Sequence, residues 1–146
     1  MSRIKIDLPT TFTFSTIIPI RITDLNYGNH VGNDTVLTIL HEARMQYLVS
    51  LGYTELEFAG TGMIMRDVAI EFKTELFYGD QVIAHVTTGE VSKAGFEIIY
   101  KLEKDAGDKK VLVASASTGM VCFDYSRKKI VMLPDEARLK LTGGKK

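Results

Sequence analysis

The sequence predicts an α+β fold in which an antiparallel sheet can wrap around one long helix. Three observations carry this expectation. Apolar residues crowd a helix-length stretch between residues 34 and 53, the hydrophobic period drops to two from residue 63 onward, and short turn-forming segments separate the later runs. Short connections make sequential antiparallel pairing the economical topology. At 146 residues the chain reads as one domain spanning residues 1–146, long enough to bury a core without metal or disulfide support.

The first element is FTFSTIIPIRIT (12–23), rich in β-branched and aromatic residues and read as a strand. Pro19 cannot donate to a ladder, so this strand belongs at a sheet edge, a bulge or a break. The polar segment TDLNYGNHVGNDTV (23–36) follows, and then the helix DTVLTILHEARMQYLVSLGY (34–53). Val36, Leu37, Ile39, Leu40, Ala43, Tyr47, Leu48 and Leu51 cover more than one stripe of it, which predicts a helix surrounded by protein. Asn33 or Asp34 suits the N-cap, and Gly52 suits the residue just past the C-terminus. Five strand patterns complete the chain: MIMRDVAIEFKTEL (63–76), QVIAHVTTGEV (81–91), GFEIIYKLEK (95–104), KVLVASASTGMVCFDY (110–125) and KKIVML (128–133). The breaks between them, YGD, SKAG, KDAGDKK and YSRKK, carry turn chemistry.

Composition narrows the function classes. Apolar residues make up 45% and charged residues 25%, an ordinary globular balance. Eighteen basic residues balance eighteen acidic ones, so nothing points to a nucleic-acid partner. Cys122 stands alone, which excludes an internal disulfide and a cysteine-rich zinc site and suits a reducing compartment. The opening MSRIKIDLPT has no apolar core of signal-peptide length, and no run approaches the ~20 apolar residues of a membrane helix. The expectation is a cytoplasmic protein with no membrane partner. The chain lacks the G-x-S-x-G elbow of a Ser-His-Asp hydrolase, metal-ligand spacing, and a dinucleotide fingerprint.

The string TDLNYGNHVGNDTVL followed by HEAR resembles the opening signature of the 4-hydroxybenzoyl-CoA-type acyl-CoA thioesterases: an acidic loop, His-Val-x-Asn, then a helix bearing Glu-Ala-Arg. FKTELFYGDQV (72–82) is similar to that family's strand, Tyr-Gly-Asp, strand segment. The resemblance covers roughly residues 15 to 134 and implies the hot-dog fold, a curled antiparallel sheet around a long central helix. It also implies an acyl-CoA substrate, hydrolysis needing no cofactor beyond the CoA carried by the substrate, and a homodimer or homotetramer (a dimer of dimers) with the active site between subunits. One position departs from the pattern. Where the 4-hydroxybenzoyl branch carries its catalytic aspartate, this chain has Asn26, which cannot serve as a general base or a carboxylate nucleophile.

Thioester hydrolysis needs a group that polarises the carbonyl and a group that activates or orients water. Helix-start amides around Gly32, Asn33 and Asp34 suit a developing oxyanion, and the resemblance implies the same use. Asp34, Thr38 and Glu42 follow i, i+4, i+8 spacing and share one helix face, with His41 beside them. Asp34 or Glu42 is therefore the expected water-activating carboxylate, with Thr38 facing the substrate. The plain reading of that line is a solvent face, with Glu42 paired to Arg44 or Arg66. The resemblance implies that His30 holds the loop or contacts the reacting centre. Asn26 can orient water or hold the carbonyl, and Asp24 is a further candidate acid or a brace for the loop. Met63 and Met65, with Met45, Leu40 and Phe58, can line an acyl pocket, although core packing explains such residues equally well. Lys93, with Lys73, Arg127, Lys128 and Lys129, can meet CoA phosphates or simply be solvated charge. Two rival functions stand beside the hydrolase: a hydratase or dehydratase of acyl thioesters using an Asp-His pair, and a non-catalytic acyl-CoA-binding protein that has lost the acid.

Overall fold

The computed structural model describes residues 3–143. β1 (Phe14–Pro19) leads through a short 3-10 turn at Ile22–Asp24 and a polar loop into α1 (Asn33–Ser50). Then come β2 (Gly62–Phe72), β3 (Gln81–Val91), β4 (Gly95–Ala106), β5 (Lys109–Asp124), β6 (Lys129–Ile130) and α2 (Asp135–Thr142). The strands form one antiparallel sheet in the order β1-β3-β4-β5-β2, with β6 on β5, and the sheet curls against α1.

The expected sequential pairing holds from β3 to β6 and fails between β2 and β3. β2 pairs with β5 at one edge, while β3 lies beside β1 at the other side of the sheet. A strand pattern sets which face is buried but not which neighbour it meets. The tie-breaker is segment 73–80, which crosses one end of the sheet instead of turning back. Its Lys73 and Thr74 amides donate to the Val113 carbonyl, and Leu76 is buried in the core. β1 ends earlier than expected, because Pro19 closes it at the sheet edge and the chain turns into the 3-10 segment. β6 has two residues rather than six. α2 was not foreseen, although Asp135 and Glu136 in its first turn, Lys140 in its last and Gly143 after it form an ordinary helix signature. It latches the C-terminal end of α1: Tyr53 donates to Glu136, and Lys140 donates to the Leu51 carbonyl.

Alternation of strand residues builds the core. Phe96, Ile98, Tyr100 and Leu102 of β4 all point inward, and Val82, Ala84 and Val86 of β3 lie beside them. From α1 come Ile39, Leu40, Ala43, Tyr47 and Leu48. Full burial of each large apolar side chain contributes about 1.5–3 kcal/mol, which makes this face the principal anchor of the helix. The helix ends in a Schellman motif: Tyr53 N–H reaches the Leu48 carbonyl, Gly52 N–H reaches Val49, and Gly52 takes φ +89°. Its N-cap is Gly32, one residue before the expected Asn33 or Asp34, and no side chain caps it. The expectation of protein on every side fails within one chain. Leu37, Thr38, His41, Glu42 and Val49 are exposed on the face turned away from the sheet. Among the described residues no helix is long and apolar enough to cross a membrane.

Candidate active site

The polar loop is a miniature hairpin. Leu25 and Val31 form an isolated antiparallel bridge, Asn26 N–H donates to the His30 carbonyl, and Asn29 sits at φ 64°. Asn26 Oδ1 accepts from Gly28 N–H at 2.8 Å, a side-chain turn that uses one half of the amide. The loop is moored at both ends. Val31 N–H donates to the Leu76 carbonyl of the crossing segment, and Asp24, buried, accepts from Arg21 N–H at 2.8 Å and faces its guanidinium at 3.4 Å.

At the start of α1, the Gly32 carbonyl accepts from the Thr35 and Val36 amides. The amides of Asn33 and Asp34 have no acceptor among the described residues, as helix geometry dictates. Gly32 itself is crowded. A Cβ there would lie 2.6 Å from Asp34 Oδ1 and 3.4 Å from Asn26 Nδ2, so the carboxylate and the amide close over the same spot. Gly28 plays the same part for His30, whose ring would come within 3.2 Å of a Cβ. His30 Nδ1 lies 3.2 Å from the Val31 carbonyl.

Of the predicted site residues, Asp24, His30, Asn33, Thr38, Glu42 and Met65 line three clefts around α1, whereas Asn26, Gly32 and Asp34 line none of the three. The first, about 390 Å³, lies between β1 and the helix and takes in Asp24, Thr38, Glu42 and Met45. Glu42 is held there by Gln46, which donates to it at 2.7 Å and accepts in turn from Thr16 of β1. Its expected partners are otherwise engaged or elsewhere, for Arg44 pairs with Glu55 at 2.8 Å. A second cleft of about 180 Å³ lies between the helix start and the crossing segment, and it takes in His30, Asn33 and Lys73. A third of about 220 Å³ opens between α1 and the β2–β5 pair and takes in Leu37, Thr38, Arg44, Met65 and Thr118. Thr38 and His41 form the ridge between the first and third clefts.

Two expected substrate contacts lie elsewhere. Met63 is sealed in the core at 3% exposure and lines none of these three clefts. Lys93 sits in the β3–β4 turn, where its carbonyl accepts from Leu133, at the opposite end of the sheet from Asn33. Lys73 is the lysine beside the helix start, and its ammonium lies 2.8 Å from Glu71. That contact, with support from Ile6 N–H, holds the Glu71 carboxyl below its ordinary range. His85 and Asp80 do structural work: His85 lies 2.8 Å from Glu103 across the β3–β4 pair, and Asp80 accepts from Phe77 N–H. Asp67 is exposed at the β2 bulge.

A polar network that sequence reasoning missed lies under the third cleft. Arg44 is 5% exposed, donating through Nε to Glu55 and through Nη1 to the Tyr100 hydroxyl at 3.2 Å. Tyr100 lies 2.7 Å from Thr118 Oγ1, and His41 Nε2 lies 2.8 Å from the other Glu55 oxygen. Burial disfavours the Arg44 charge, but Tyr100 and Glu55 more than offset it and its pKa moves up. Burial pushes the Tyr100 phenol up as well. The readable signal was a charged residue on the apolar side of the helix. Among the described residues no three His, Cys, Asp or Glu side chains gather to hold a metal.

Several solved structures share this fold. A thioesterase superfamily protein from Jannaschia sp. CCS1 superposes with a TM-score of 0.79 at 16% identity, over 93% of this chain and 85% of that one. A 1,4-dihydroxy-2-naphthoyl-CoA thioesterase from Synechocystis gives 0.78 at 20% identity, over 88% and 95%. A DHNA-CoA thioesterase from Staphylococcus aureus gives 0.77 at 22% identity, over 88% and 90%. At such identities the likeness is one of fold, and that fold is the hot-dog. No curated protein matches the sequence. The sequence pattern of the thioesterase-like superfamily, however, matches residues 20–141, from the end of β1 through α2, and the chain belongs to that superfamily.

Proposed function

We propose that this protein hydrolyses acyl-CoA thioesters to the free acid and CoA. The observation that carries the reading is the convergence at Gly32: unpartnered helix-start amides, the Asp34 carboxylate and the Asn26 amide nitrogen surround one spot. A thioester carbonyl oxygen set against the Asn33 and Asp34 amides gains donors and the positive end of the helix dipole, both strongest as negative charge develops. Water then attacks the carbonyl carbon, a carboxylate takes its proton, and the tetrahedral intermediate collapses with CoA thiolate leaving. Asn26 Nδ2 orients the carbonyl or the water, and His30 supports the loop that brings it there.

Two carboxylates compete for the water. Glu42 follows Asp34 by eight residues, about 12 Å along a helix axis, too far for both to reach one carbon in the same chain. In this reading Asp34 serves the amides of its own helix, whereas Glu42 reaches a thioester only on a second copy docked along α1. A homodimer with the site between subunits accommodates either. The hydratase alternative is the weaker one, because Asp24 and His30 face different clefts and form no pair.

Release of free thiol from acetyl-, octanoyl- and benzoyl-CoA tests the activity, and no turnover above buffer for any of them refutes it. Asp34→Asn and Glu42→Gln then separate the two acids. The expected result is a loss of about 10²–10⁴-fold in kcat for the true acid. Activity that survives both changes removes the helix carboxylate from the mechanism.

A further inference from the structure

We propose that the third cleft is a specificity pocket for acyl groups that carry a neutral carbonyl oxygen on their tail, read by Arg44 and Thr118. The proposal rests on the thioesterase reading and adds a substrate class to it. The cleft opens beside Leu37 and Thr38, one turn beyond the helix-start amides, and takes in Arg44 and Thr118.

Hydrogen-bond accounting fixes what that polar end offers. Arg44 spends Nε on Glu55 and Nη1 on the Tyr100 oxygen. Its Nη2 has no partner among the described residues. No sealed side-chain nitrogen or oxygen is left without a partner among them, so Nη2 is open, and the opening against Arg44 is this cleft. Tyr100 is fully buried and its oxygen already accepts from Arg44, so its own hydrogen goes to Thr118 Oγ1 at 2.7 Å. The Thr118 hydroxyl hydrogen is then left to donate. The floor therefore presents donors, Nη2–H and Oγ–H, and calls for an acceptor. Glu55 already balances the Arg44 charge at 2.8 Å, so a carboxylate tail would bring a second anion close to the first. A ketone-type oxygen meets both conditions.

Reach follows from the helix. Arg44 lies ten residues beyond Asp34, and its side chain tilts back towards the helix start, so the donors sit roughly 10 Å from a thioester held there. An eight-carbon acyl chain with its oxygen near the far end spans that length.

The test compares octanoyl-CoA, 7-oxooctanoyl-CoA and 7-carboxyheptanoyl-CoA on the wild type, Arg44→Lys and Thr118→Val. The readout is the ratio of kcat/KM values within each protein, so a general loss of activity cancels. The wild type is expected to prefer the oxo substrate over octanoyl-CoA by on the order of 10-fold or more, with the preference collapsing towards one in both variants. A wild-type ratio near one, or a preference untouched by both variants, overturns the pocket. Preference for the carboxylate tail overturns the neutral-acceptor assignment. Calorimetric titration with the non-hydrolysable thioether analogues reads the same ratio as Kd. If no thioester is cleaved, tighter binding of the oxo analogue than of the other two still supports the pocket while the hydrolase reading fails, and any other order of Kd values overturns it.

Discussion

Replacing Gly32 by Ala probes the geometry on which the proposed chemistry depends. Gly32 has φ −72° and ψ 157°, a conformation alanine adopts without strain, so the backbone has no reason to move. The new methyl would lie 2.6 Å from Asp34 Oδ1, whereas ordinary contact begins at 3.4 Å. The carboxylate, at the free end of a short side chain, must retreat by close to an ångström, and Asn26 Nδ2 at 3.4 Å can stay. On stability two small effects oppose each other. Alanine is a poorer N-cap than glycine, by about 1 kcal/mol at most, and it restricts the unfolded chain by about 0.4–1 kcal/mol. The net change is expected within about 1 kcal/mol. On activity, a displacement of about 1 Å at a reacting group costs on the order of 10²-fold. Gly32→Ala should therefore keep the urea midpoint of the wild type and release thiol from its best acyl-CoA about a hundred times more slowly, approaching Asp34→Asn. A folded variant with undiminished turnover would refute the reasoning. So would an inactive Gly32→Ala beside an active Asp34→Asn, since the damage would then come from the amides and not from the acid.

Three further outcomes follow from other parts of the molecule. Glu55→Ala leaves the buried Arg44 guanidinium without its carboxylate and should cost about 2–4 kcal/mol in urea unfolding, whereas replacing both Arg44 and Glu55 by Met should recover much of that loss. Burial first, then the bond to Glu136, pushes the Tyr53 phenol up to about 12 from 10.0. The folded state thus holds that proton more tightly than the unfolded chain. The stability it confers is complete below pH 10 and is lost between pH 10 and 12, and thermal melts of Tyr53→Phe should lack that part of the alkaline decline. Val68→Lys on the exposed edge strand β2 should lower the association state seen by light scattering, and activity should fall with it if the site lies between copies.

The residues explain why some of this was legible in the sequence. Strand β3 matches its expected bounds of 81–91, because period-two alternation between strong turn signals leaves little freedom in where such a strand starts and stops. Gly52 announced the end of α1, since only a residue tolerant of φ +89° suits that place. The order β1-β3-β4-β5-β2 was not legible, because β2 satisfies its pattern equally well against β3 or β5, and the choice falls to how segment 73–80 packs. In the site, the spacing of Asp34, Thr38 and Glu42 gave their shared face correctly. It could not give the clefts that Thr38 and Glu42 line, because those depend on β1 and β2 standing on either side of the helix. Arg44 went unread for a related reason. Its partner Tyr100, and Thr118 bonded to that hydroxyl, come from strands more than fifty residues away, and no local pattern links them.

The sheet order also bears on why Asn26 can stand where an acid is expected. β1 and β2 occupy the two edges, and α1 joins them across one face of the sheet. The side of α1 turned away from the sheet is left uncovered, and it carries both Asp34 and Glu42. A loop carboxylate at position 26 would lie close to Asp34 over Gly32, and two such carboxylates could not both ionise cheaply. With Asn at 26 and Asp at 34, a donor and an acceptor face the same spot over Gly32 instead of two like charges. On this account the acid has moved from the loop to the helix. Asn26→Asp alone should then lower activity near neutrality and displace the acidic limb of the kcat/KM profile upward, as the two carboxylates share a proton. The double variant Asn26→Asp, Asp34→Asn should recover part of the loss by exchanging their roles. If Asn26→Asp alone raises activity instead, the loop is the natural seat of the acid and Asp34 is only its neighbour.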